Sequence, residues 1–266
     1  MKLNKYLRVA QNTWQENIEY RLNFVMWRIR VMLQLITVYV LWYALLPAGD
    51  EVFGYTQSTM LTYVLGTAIV GSFVFSARSH TIAEEVNSGD LSNFLIRPMN
   101  YFKYHFARDM GDKGLNIIFS IFEFSLLVLL LRPTLFIQTS PEILLFTVVA
   151  TCVGVLLFFC CNVLLGMIGF WSPEVWAPRF IFMTLLTFFS GALFPLDILP
   201  EGIYRIFEIL PFGYMLYFPL KVYLGQIAIG DIWLGLVAGG MWILILFGIS
   251  KILWKKGLRN YAAQGR

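Results

Sequence analysis

Apolar residues in this chain run in blocks of roughly 20 positions separated by short polar breaks, the length a helix needs to cross about 30 Å of hydrocarbon. The blocks cover 25–46, 59–77, 114–131, 142–170, 179–199 and 232–253. Backbone inside lipid must satisfy its own N–H and C=O groups, so such segments are helices or strands of a closed barrel. Barrel strands would alternate apolar and polar residues over about ten positions. These blocks are continuously apolar, so the pattern predicts an all-α polytopic membrane protein with six transmembrane helices.

Two flanking regions depart from that pattern. Within 1–21 and just beyond, Leu3, Leu7, Ala10, Trp14, Ile18 and Leu22 recur at spacings of three and four, while Lys5, Arg8, Asn12, Gln15 and Glu19 fall on other faces. This predicts an amphipathic helix lying in the membrane interface, the alternative being a helix packed on other cytoplasmic segments. No early apolar core with a small-residue cleavage site follows the start, so a signal peptide is not expected. The other region, 200–230, is rich in apolar and aromatic residues but broken by Pro200, Pro211 and Pro219, with Pro195 just ahead. Too interrupted to span and too apolar for a solvated loop, it is expected to re-enter the outer leaflet as half-helices. Irregular backbone at that depth is tolerated where protein buries it or a cavity lies beside it. Phe194, Pro195, Asp197 and Pro200 are its candidate outer-gate residues.

Composition sharpens the membrane assignment. The chain is 58% hydrophobic and 14% charged, with a mean hydropathy of +0.69, whereas soluble domains carry about 25% charged residues. Cys152, Cys160 and Cys161 all sit in one apolar block, which suits packing rather than a disulfide framework or a zinc site. The net charge of +4 matters through its placement and does not imply nucleic acid. Of the 20 Lys and Arg, only Arg132, Arg205 and Lys221 fall on one side of the predicted membrane; the other 17 fall on the opposite side. By the positive-inside rule both termini are then cytoplasmic. Arg28 and Arg30, in the first turns of the first block, are expected to snorkel to the headgroups.

The long polar stretch 78–113 is therefore a cytoplasmic loop. In it Ile82, Val86, Leu91, Phe94 and Leu95 recur near helical spacing around a Gly89-Asp90 turn, and Arg97-Pro98 ends the pattern. Such a stripe either docks a cytoplasmic partner or packs on its own bundle; burial satisfies it equally in both places. Inside the apolar blocks Glu123 is the one acidic residue set well away from an end. An ionisable group there faces the bundle or a cavity, either to bind a cation or proton or to make a structural hydrogen bond. Asn162 is expected to hydrogen-bond across helices, with a place on the substrate pathway as the alternative. Gly166 and Gly169 suggest close helix packing. Aromatic residues, 17% of the chain, suit interface belts, though a ring-lined cavity would also attract organic cations. His80 and His105 show no metal-ligand spacing.

The order of these features, with the Glu84-Glu85-(x)3-Gly89-Asp90-Leu91-(x)3-Leu95-(x)2-Pro98 pattern and the SGALFPLDILP run from Ser190 to Pro200, resembles the ABC-2 type permeases, of the type V exporter architecture. The closest branch comprises bacterial permeases, some linked to drug or xenobiotic export. The resemblance implies a plasma-membrane permease that pairs with a second copy or a paralogue and moves a hydrophobic or cationic small molecule. It also implies a separate nucleotide-binding ATPase docked on the loop, with Glu84, Glu85, Asp90, Leu91, Phe94, Leu95 and Arg97 as the coupling residues. The sequence holds no GxxxxGK[ST] motif, so no phosphate-cradling loop and no catalytic site are expected here; ATP and magnesium belong to the partner. The alternatives are a non-transporting scaffold or sensor that recruits a partner, and an intramembrane enzyme. The latter is disfavoured because no His/Asp, Ser/His or metal-ligand cluster lies within a block.

Overall fold

A computed structural model describes residues 2–19, 21–47, 49 and 51–261, which form eleven α-helices. These are α1 (Lys2–Glu19), α2 (Arg21–Leu45), α3 (Gln57–Val74), α4 (Ile82–Asn87), α5 (Asp90–Leu95) and α6 (Tyr101–Leu131). They continue with α7 (Pro141–Met167), α8 (Trp176–Phe189), α9 (Glu201–Ile209), α10 (Tyr217–Tyr223) and α11 (Ile229–Asn260). Among the described residues five helical stretches are long and apolar enough to cross a membrane: Phe24–Leu45, Gln57–Val74, Tyr101–Leu131, Pro141–Phe170 and Ile229–Asn260. With exposed apolar side chains along α2, α6, α7, α8 and α11, this is a multi-pass membrane protein.

The fifth expected block is interrupted. Instead of one helix over 179–199, α8 has 14 residues, a rise of about 21 Å. It stops at Ser190 because Gly191 takes φ +83°, which turns the chain back into the bundle. The third block differs in the other direction. Asn100, whose Oδ1 accepts the Lys103 amide at 3.0 Å, starts one helix that takes in the end of the polar stretch and the whole of 114–131. It runs 31 residues before Arg132 and Pro133 end it.

The bundle has two distinct ends. At the cap end, α2 turns into α3 through a two-residue hairpin, Glu51–Val52 against Tyr55–Thr56. Thr56 then opens α3 with a capping box, its hydroxyl accepting the Thr59 amide while Thr59 returns the bond. The proline-broken region also lies here and resolves into α9 and α10. No residue of α9 is buried, whereas α10 is buried almost throughout. The segment leading into α10 is admitted by small residues: a Cβ on Gly154 of α7 would meet the Met215 carbonyl at 2.7 Å, and one on Gly235 of α11 would meet the Phe218 ring at 2.4 Å.

At the loop end, α1 lies along the first half of α6 rather than standing apart. A Cβ on Gly111 would lie 2.5 Å from the Ala10 carbonyl oxygen, and Trp14 Nε1 donates to Gly111 O. Part of the amphipathic face expected to meet lipid is thus used on the protein itself.

Candidate functional site

The loop end is organised around α4 and α5. Gly89 joins them at φ +84°, and Ser88 Oγ bonds Asp90 Oδ2 at 2.7 Å across the turn. One side of α4 fits against α7 and the turn that follows it: a Cβ on Gly166 would touch Ile82 at 2.6 Å, and one on Gly169 would touch Ala83 at 3.0 Å. The expectation of close packing at these glycines holds, with α4 as the element received.

Its other side is held by charge. Glu85 Oε2 accepts from Tyr101 OH at 2.9 Å and contacts His105 Nε2 at 3.2 Å. Glu85 Oε1 meets Arg108 Nη1 at 3.3 Å, and Arg108 Nη2 continues to Glu16 of α1 at 3.3 Å. Burial pushes the Glu85 carboxyl up, but His105, Tyr101 and Arg108 together outweigh it and hold it below its ordinary value. His105, which spacing alone did not connect to anything, is fully buried in this cluster. The elbow between α3 and α4 is clamped more tightly still. Asp109 accepts the Arg78 and Ser79 amides at 2.6 and 2.8 Å, and Lys113 Nζ donates to the carbonyls of Phe73, Val74 and Ser76. Both charged groups, 1% and 2% exposed, are satisfied by main chain, so they fix backbone geometry rather than merely neutralising each other.

The coupling residues expected from the sequence divide by exposure. Leu91 and Phe94 face inward, Leu91 fully buried and Phe94 stacked edge-on against Tyr101 at 5.0 Å. They hold α5 onto the bundle. Glu84, Asp90, Leu95 and Arg97 are exposed. Ile96, which the spacing did not single out, is the most exposed apolar residue of the loop at 85%. Glu85 is turned under the loop. Beside α5 a groove of about 200 Å³ is lined by Phe94, Leu95, Met99, Tyr101, Phe102 and Trp254, among others.

Within the membrane-crossing part, Glu123 has a partner that the linear pattern hid. Arg28 Nε donates to Glu123 Oε1 at 2.7 Å and Arg28 Nη2 donates to Oε2, a two-pronged pair. The same guanidinium reaches Ser72, Asn116 and Ser120. Arg28 is 6% exposed, so it points into the bundle and does not snorkel to the headgroups. Glu123 is therefore neutralised from within the chain. Asn162 is buried too, but its Nδ2 donates to Phe158 O of its own helix at 3.0 Å, and among the described residues the expected cross-helix bond is not made.

At the cap end Asp197 is the centre. It accepts from Lys221 Nζ at 2.6 Å and from Tyr55 OH at 3.0 Å, and Lys221 also donates to Gln226 Oε1 at 2.7 Å. Burial first, and then the Asp197 charge, raise the Tyr55 hydroxyl well above its ordinary value, so it stays protonated and donating. Two further bonds fix the preceding turn: Tyr63 OH to Gly191 O at 2.7 Å, and Trp42 Nε1 to Leu193 O at 3.1 Å. Phe194 is half-buried, Pro195 buried, and Pro200 exposed at the start of α9. Lys221 was legible only as one of three basic residues on its side of the membrane; its burial at 8% makes it the counter-ion of the cap.

A family model described as "ABC-2 family transporter protein" matches residues 32–265, from within α2 to beyond the end of α11. No curated protein matches the chain.

Proposed function

The chain belongs to the ABC-2 transporter family, and from that premise we propose that it is the permease subunit of an ATP-binding-cassette exporter. The observation that carries this reading is the loop end. α4 is seated on two membrane-crossing helices at once, by glycine notches on α7 and the turn after it and by ion pairs on α6, while Asp90, Leu95, Ile96 and Arg97 stay exposed at the tip of the loop. A partner bound at that tip can shift α4 only by shifting α6 and α7 as well. In this reading the ATPase that supplies the work, with its ATP and magnesium, is a separate subunit docked at that tip; the 266 residues hold no GxxxxGK[ST] loop.

The exposed apolar helix faces suit a second copy or a paralogue as the other half of the pathway. The short connections at the cap end suit a hydrophobic small molecule entering from the bilayer or the cytoplasm. Glu123 does not support a cation-binding role, since Arg28 already occupies it. Clustering of Lys and Arg at the loop end supports a bacterial plasma-membrane protein with both termini cytoplasmic.

The test is capture of partners in mild detergent with two surface variants, Ile96→Glu and Leu95→Glu. A P-loop ATPase should accompany the wild-type chain and be lost from both variants while the permease stays folded. Absence of any ATPase after gentle crosslinking would remove the energy source and leave a scaffold or sensor as the better reading.

A further inference from the structure

The clamp at the elbow does not end at the loop. From Arg78 an unbroken series of hydrogen bonds runs along one face of α6 into the membrane-crossing region and out to α2. Arg78 Nε donates to Asp112 Oδ1 at 3.3 Å. Asn116 Nδ2 donates to Asp112 at both Oδ2, 3.1 Å, and the main-chain carbonyl, 3.0 Å. Arg28 Nη1 donates to Asn116 Oδ1 at 3.4 Å, and the same guanidinium grips Glu123. Asp112, Asn116 and Glu123 recur at spacings of four and seven, so they share one face of the helix.

Asn116 is the midpoint, and its chemistry suits the place. It is 7% exposed. An amide donates through nitrogen and accepts through oxygen, so one uncharged side chain joins an acid on one side to a base on the other. Neither a hydroxyl of Ser length nor an apolar residue of the same size would bridge both. Polar groups buried like this are costly to leave unpaired, and in a medium of low dielectric their bonds are directional. The elbow, α6 and α2 therefore hold a fixed mutual arrangement as long as the series is intact. Ser120 differs: it meets Arg28 at 3.0 Å but, among the described residues, links to nothing toward the loop.

We propose that this buried polar series is the route by which displacement of the docking loop reaches α2, with Asn116 as its positioning residue. The inference rests on the reading of the loop as an ATPase dock, and it adds that the first membrane-crossing helix, which has no part in the loop, responds to events there. A route of this kind needs contiguous groups with alternative arrangements, and a strand of bonds that can break as a unit supplies them.

Hydrogen–deuterium exchange on the permease–ATPase complex in lipid nanodiscs tests it, comparing nucleotide-free with ATP–vanadate-trapped states. In wild type, peptides of α4–α5 and of α2 around Arg28 should both change exchange on trapping. In Asn116→Leu the α4–α5 change should persist and the α2 change should be lost. Arg78→Gln, at a partly exposed position that folding tolerates more readily, cuts the series at its loop end and should give the same separation even if Asn116→Leu fails to assemble. Ser120→Ala should behave as wild type. The proposal is overturned if α2 responds fully in Arg78→Gln and Asn116→Leu, or if α2 is silent in wild type while α4–α5 responds. Silence of α4–α5 in the wild-type complex would instead overturn the docking reading itself.

Discussion

Arg28 and Glu123, 95 positions apart, form a two-pronged ion pair between α2 and α6 with the Arg28 side chain 7% exposed and the Glu123 side chain 14% exposed. Two charges at that depth are tolerated because each satisfies the other and the spare guanidinium protons find Ser72, Asn116 and Ser120. The pair matters less for what it adds to stability than for what its removal would leave.

Glu123→Ala should accordingly destabilise the fold by about 3–5 kcal/mol, because it strands a buried guanidinium. The double variant Arg28→Met with Glu123→Met should recover most of that loss. Thermal melting in detergent checks both, and equal damage in single and double variants would count against mutual dependence.

Burial at the loop tip predicts opposite outcomes for neighbouring residues. Leu91→Ala should cost about 2–5 kcal/mol by opening a cavity under α5. Ile96→Ala, at a position open to solvent, should stay within about 0.5 kcal/mol of wild type while weakening ATPase capture. Melting and co-purification, measured on the same two variants, separate folding from docking.

The seat of α4 makes Gly166 sensitive to size. A leucine there would meet Ile82 and push α4 off α7, at about 1–3 kcal/mol. A loss of complex activity larger than the loss of stability is expected, read as ATPase rate against melting temperature.

Acid should loosen the other side of the same seat. The Glu85 carboxyl is held below its ordinary value in the folded chain, so its tether is fully present above the ordinary carboxyl range and is lost as pH falls through the depressed value. The melting difference between wild type and Glu85→Gln should be constant from pH 7 to 5 and shrink toward zero at lower pH.

At the cap end the asymmetry of burial decides which half of the ion pair is dispensable. The Lys221 side chain is 11% exposed and that of Asp197 26%. Asp197→Asn leaves an ammonium with little access to water, whereas Lys221→Met leaves a carboxylate that Tyr55 and solvent still reach. Asp197→Asn should therefore be the more destabilising, by about 1–2 kcal/mol, in parallel melts.

How much of this could be read in advance follows from which forces are local. Membrane-crossing helices announce themselves because hydrocarbon thickness and backbone hydrogen bonding act on contiguous residues, so the blocks at 25–46, 59–77 and 142–170 match α2, α3 and α7 closely. The block at 179–199 failed where one backbone angle, at Gly191, overrode a continuous apolar run. At the loop, spacing found the apolar stripe but not its direction. Leu91 and Phe94 lie one turn apart on the face that meets Tyr101, while Leu95 and Ile96 follow on the far side, and only the position of α6 distinguishes them. Arg28 is the clearest case. Near the end of an apolar helix it has the signature of a snorkelling residue, and its carboxylate partner lies in a segment that no periodicity connects to it.

The length of α6 carries one more consequence. At 1.5 Å per residue its 31 residues extend about 46 Å, against about 30 Å of hydrocarbon. Roughly a third of the helix extends beyond the hydrocarbon as a mast, with α1 alongside it and α4 and α5 held against its first turns. The tip bearing Ile96 is thereby held outside the hydrocarbon, where an approaching protein can reach it. The height of that mast is a ruler. Deleting one helical turn between Arg108 and Asn116 would lower the tip by about 5 Å, and a partner matched to the original height would meet phospholipid before it met the tip.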